Sequence, residues 1–149
     1  MNHDNYNSTT RLVIVGTALV AILGLGGLAH AQVKKGKTRP VTTGQLMKGL
    51  VKPHCDALKK GFETAPADDK AWAQLAVNAA MLNEGSYLLM DDGRCPDGTW
   101  ADATTKMLRK GSEDILKAIE AKDLAAAKTA FGSMTKSCKS CHDAHKEKH

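Results

Sequence analysis

Aromatic residues are scarce in this chain of 149 residues: two each of Trp, Tyr and Phe make up 4% of it. A core built from the chain alone would be thin, and a large apolar cofactor is the natural source of the missing bulk. No stretch alternates apolar and polar residues as a strand does, which excludes a β architecture. There is no Arg-rich stripe interleaved with aromatics of the kind that reads nucleic acid. The net charge of +5 therefore describes lysines on a solvated helical surface. Paired carboxylates at a catalytic spacing are absent, and so is a His/Arg pair assignable as acid and charge stabiliser, so no enzyme is expected. A structural zinc site would need a second Cys/His pair at ligand spacing. Here Cys55 and His54 are adjacent, Cys95 stands alone, and His145 and His149 read as solvated tail histidines.

What the chain does have begins with an export signal. Leu12 to Ala29 form a nearly unbroken apolar run behind Arg11, and the run ends in Ala29-His30-Ala31. Small residues at both positions read by a signal peptidase predict a signal peptide over 1–31, with the mature chain starting at Gln32. An uncleaved membrane anchor is the competing reading, since about 18 apolar residues can just span a bilayer. Gly24, Gly26 and Gly27 make a poor membrane helix and favour cleavage. Either way the folded part lies outside the cytoplasm, and the expected compartment is the periplasm.

Residues 32–42 are short, basic and interrupted by Pro40, and they read as a flexible lead-in to one domain over 43–149. Four segments of helical periodicity follow. The first opens at Thr42/Thr43 and runs to about Phe62, with Met47, Leu50, Val51, His54 and Leu58 on one face and an expected kink at Pro53. The second follows Pro66 and Asp68 and runs to about Met90, with Trp72, Leu75, Ala76, Ala79, Leu82, Asn83 and Ser86 inward. A dense turn cluster, Asp91 to Gly98, separates it from the third, about Thr99 to Ala121, which turns Trp100, Met107, Leu108, Gly111, Ile115, Ala118 and Ile119 inward. The fourth starts near Asp123 and reaches about His145, with Leu124, Ala127, Phe131, Met134, Cys138, Cys141, His142 and His145 in register. Four amphipathic helices with short connections predict an all-α, antiparallel four-helix bundle.

Cys138-Lys139-Ser140-Cys141-His142 is the Cys-x-x-Cys-His signature of c-type haem attachment. Two thiols three residues apart on a helix can add to the two vinyl groups of one haem. The following His comes round beneath the ring to ligate the iron. A thioredoxin-like redox pair would want a βαβ setting near a helix start, and this pair lies late in the last helix. One haem c per chain is expected, with Cys138 and Cys141 as attachment points and His142 as proximal ligand.

With that motif near the chain end, the sequence resembles the class II cytochromes c, the cytochrome c prime and cytochrome c-556 family. Leu46-Met47-Lys48 is similar to a Leu-Met-Lys segment that faces the haem from the family's first helix. The resemblance implies a left-handed four-helix bundle with covalent haem, redox partner proteins and a possible homodimer through the first two helices. It also implies two alternatives at the sixth iron position. A Met on the first helix gives a six-coordinate electron carrier. An apolar residue there leaves five-coordinate iron able to bind nitric oxide or carbon monoxide. Met47 is the candidate sixth ligand and His54, on the same face, its rival. Where the family often places a basic residue near the propionates, one turn before the Leu-Met segment, this chain has Thr43-Gly44-Gln45. The two cysteines not spent on haem, Cys55 and Cys95, leave one possible bridge, which an oxidising compartment favours.

Overall fold

The computed structural model describes residues 35–145. The signal segment, its cleavage point and His149 lie outside them. Among the described residues no helix is long and apolar enough to cross a membrane.

Four helices stand where capping residues open them. Helix α1 is continuous over 43–61, in the stretches Thr43–Leu46, Met47–Val51 and Lys52–Gly61. Its start is closed reciprocally: Gln45 N–H donates to the Thr42 hydroxyl at 3.2 Å, and Thr42 N–H to Gln45 Oε1 at 2.8 Å, which satisfies two otherwise orphaned donors. Helix α2 spans Asp69–Met90, with the Asp68 carboxylate accepting from Ala71 N–H. Helix α3 comprises Gly98–Asp102, Ala103–Arg109 and Lys110–Glu120, capped by Asp97. Helix α4 is Leu124–His145, and Ala126 N–H donates to Asp123.

Two stretches are wound wider than an α-helix. In Met47–Val51 the ladder reaches five residues back, so that Lys52 N–H donates to Met47 O, and Lys110 N–H likewise reaches Thr105 O at the end of Ala103–Arg109. The wide turn in α1 lies directly before Pro53. Proline's missing N–H would otherwise serve Gly49 O, and the extra residue absorbs that interruption. The helix therefore carries on past Pro53 instead of ending there.

Each helix packs on its neighbours in sequence: α1 on α2, α2 on α3, and α3 on α4. Leu58, Leu82, Leu89, Ile115, Ala127 and Met134 form the shared core at 1% exposure or less. Apolar positions at i, i+3 and i+4 supply it on each helix. The small amount of side-chain bulk is offset in part by close approach. A Cβ on Gly111 would lie 2.6 Å from Met134 Cβ, so α3 and α4 nearly touch there.

The lead-in expected to be flexible is hydrogen-bonded to the α2–α3 loop over its described part. Lys37 N–H donates to Asp92 O, and the Asp92 carboxylate accepts from Thr38 N–H at 2.9 Å, the Thr38 hydroxyl at 2.8 Å and Arg39 N–H at 3.0 Å. Asp92 stands at φ 58°, a left-handed conformation that Asp tolerates better than most residues. Behind it Arg94 is 1% exposed and donates to Val41 O at 3.0 Å. The strap is thus held by long-range hydrogen bonds that its composition alone does not announce.

Candidate functional site

A cavity of about 390 Å³ opens between α1 and α4. Its walls are apolar because each helix contributes its inner stripe: Met47, Val51 and Cys55 from α1, Leu89 from α2, Ala103, Thr104 and Leu108 from α3, and Ser137, Cys138, Cys141 and His142 from α4. Positions 138, 141 and 142 share a helix face through their i, i+3 and i+4 spacing. That spacing sets both thiols of the attachment motif and its imidazole on one wall. Exposed Lys48, Lys52 and Asp56 make the rim on the α1 side. Met47 thus faces the cavity from α1 and His142 from α4.

His54 does not line this cavity. Its Nδ1 lies 2.9 Å from Asn78 Oδ1, and Asn78 in turn donates through Nδ2 to Gln74 O at 2.8 Å. With the amide so oriented, its oxygen is the acceptor and His54 Nδ1 carries the proton. The wide turn explains why the expected shared face fails. In an unbroken α-helix the residue two turns beyond Met47 is seven positions on, which is His54. One inserted residue moves that place to the eighth position, Cys55. The face expected to carry a second candidate ligand carries a thiol.

The remaining cysteines depart from expectation in the same way. Cys55 lines the cavity, whereas Cys95 sits in the α2–α3 loop and donates to Asp97 O at 3.4 Å. All four cysteines are free, so no Cys55–Cys95 bridge ties α1 to the loop. Burial pushes the Cys55 and Cys141 thiols up to about 11, and nearby Cys138 adds to both shifts. Three thiols therefore face one apolar space, Cys138 standing near both of the others.

His145 is buried as well, not solvated as its place near the chain end suggested. Its ring meets Trp100 edge to face at 5.5 Å, and its Nε2 lies 3.3 Å from Asp97 Oδ1 without the alignment of a hydrogen bond. Trp100 is fixed in turn by donating to Leu89 O at 2.9 Å. This packing joins the end of α4 to the start of α3 beside Cys141. Periodicity had placed His145 inward, and that signal outweighs proximity to the terminus.

The donor set fits a covalently held haem. Two thiols at attachment spacing, an imidazole on the same wall, a thioether on another and an apolar lining match the group's two vinyls, its iron and its ring faces. Leu89, Ala103, Thr104 and Ser137 belong to the lining but are inconspicuous in sequence, being small or common core residues. The α1 wall was readable only as a run at i, i+4 and i+8, residues 47, 51 and 55, with 48, 52 and 56 beside it.

No curated protein and no solved structure matches the chain. The family model described as cytochrome C′ matches residues 97–146, which takes in α3, α4 and the attachment motif. Over that span the chain is similar to the cytochrome c prime family, consistent with the class II cytochromes c that its motif resembles, and the match supports a c-type haem protein.

Proposed function

We propose that this chain is an exported, mono-haem c-type cytochrome that passes single electrons between periplasmic protein partners and is not an enzyme. The observation that carries the proposal is that Met47 and His142 line one cavity from α1 and α4, while His54 is engaged with Asn78. A thioether and an imidazole suit the two axial positions of an electron-carrying haem, and Met ligation raises the reduction potential relative to two imidazoles. Cys138 and Cys141 would hold the ring, and His142 the iron. When bound, the haem supplies a one-electron ferric/ferrous couple. The apolar walls keep water away from it, and surface lysines steer acidic partners toward its edge.

The test is an optical spectrum of the protein produced with haem-attachment machinery, oxidised and reduced, with and without carbon monoxide. A low-spin spectrum indifferent to the gas is expected, with Met47→Ala turning it high-spin and gas-responsive and His54→Ala leaving it unchanged. A wild-type spectrum that is already high-spin and shifts with carbon monoxide would replace electron transfer by gas binding at five-coordinate iron. Absence of covalent haem would overturn both.

A further inference from the structure

We infer that Lys48 and Lys52 form a two-cation rim that holds the propionates of a haem seated in this cavity. The inference rests on the haem reading above and adds to it the residues that orient the group. A haem carries its two carboxylates on one edge, and charges of one sign cannot be left unpaired in an apolar interior. That edge must therefore point to the cavity mouth and toward cations. Among the described residues that line the cavity, Lys48 and Lys52 are the two lysines and there is no arginine. Both are exposed at the rim, so their long stems can lie along the apolar wall while the ammonium groups stay wet.

Neither lysine is committed elsewhere in a way that resists exchange. Lys48 makes no ion pair among the described residues, whereas Lys52 donates to Asp56 one turn on. Such an exposed pair along a helix is weak and readily traded for a stronger partner. Nearby, Arg39 is paired with Asp91 at 3.2 Å, and Arg94 is engaged with Val41 O and Asp92.

The test uses the haem-loaded full chain and reads the propionate bending mode in resonance Raman spectra. Lys48→Gln and Lys52→Gln are each expected to shift the mode to lower wavenumber, with a larger shift in the double variant and recovery in Lys48→Arg and Lys52→Arg. Lys117→Gln, exposed on α3 away from the cavity, should leave it in place. If haem is attached and the mode in the rim variants matches that of Lys117→Gln, the two lysines do not hold the propionates, though the haem reading stands. If no haem is attached, both fall together.

Discussion

Phe62 and Phe131 meet edge to face, with centroids 5.7 Å apart and planes at 74°, and so tie the end of α1 to the first half of α4. Elsewhere α1 leans on α2 and α4 on α3, and the cavity occupies the space between α1 and α4. The ring pair closes the bundle beyond the cavity, which can then stay open without the two helices separating. Phe62 is 4% exposed, and its truncation to Ala should cost about 3–5 kcal/mol in a urea titration. A double-mutant cycle with Phe131→Ala should isolate a coupling of about 0.5–1.5 kcal/mol for the ring contact. Strictly additive losses would mean that the rings merely fill space.

Gly111 has a different task. A methyl there would sit 2.6 Å from Met134 Cβ and 3.2 Å from its Cα, atoms that no rotamer change can move. Gly111→Ala must therefore push α3 away from α4, and a loss of about 1–3 kcal/mol is expected despite the better helix former. Gly132, within α4, has open space around it, so Gly132→Ala should instead gain up to about 1 kcal/mol. Denaturant midpoints that move the same way in both variants would remove the distinction.

Helix positions were legible because they depend on local chemistry. Thr42, Asp68 and Asp123 cap α1, α2 and α4 at the places their residue types announce, and 3.6-residue periodicity found the inner faces. Cys138, Cys141 and His142 were grouped from their spacing alone, and the structure sets all three on one wall of the cavity. What stayed hidden depends on partners far away in sequence. Arg94 looks like a loop charge and is buried because Val41 and Leu88 offer carbonyls to it. The strap at 37–39 is ordered by an Asp92 that lies more than fifty residues on. The inserted residue in α1 leaves no mark on apolar periodicity within a single turn, yet it exchanges His54 for Cys55 on the cavity wall.

The strap gives the bundle an acid-sensitive clasp. Burial by itself would raise the Asp92 carboxyl, but three hydrogen bonds from Arg39 and Thr38 and the Arg94 guanidinium outweigh it and hold the group down to about 2. An unfolded Asp titrates near 3.9, so the folded state binds this proton less readily. The contribution is fully present above pH about 5 and is lost as pH falls through 4 toward 2. Asp92→Asn keeps the left-handed backbone and removes the charge. The wild-type advantage over this variant, followed by urea midpoints, should be constant from pH 7 to 5 and vanish near pH 2. An advantage that persists at pH 2 would mean the carboxylate charge is not what holds the strap.

The wide turn of α1 acts as one inserted residue, and deletions can test that directly. Gly49 is exposed and a Cβ there would meet nothing within 4 Å, so removing it disturbs no contact. Combined with Pro53→Ala, which restores the missing donor, the deletion lets Met47–Val51 close into ordinary helix. Met47 and Cys55 then stand seven residues apart and still share a face. Deleting Ala57, in the regular stretch, instead rotates everything before it by about 100° relative to Leu58 and Phe62. That rotation would carry Val51 to the exposed place of Lys52 and Met47 to that of Lys48. The Gly49 deletion with Pro53→Ala should therefore unfold cooperatively and no earlier in urea than the parent, whereas the Ala57 deletion should unfold far earlier or fail to fold. Equal damage from both would show that the cavity face of α1 is set by something other than the added residue.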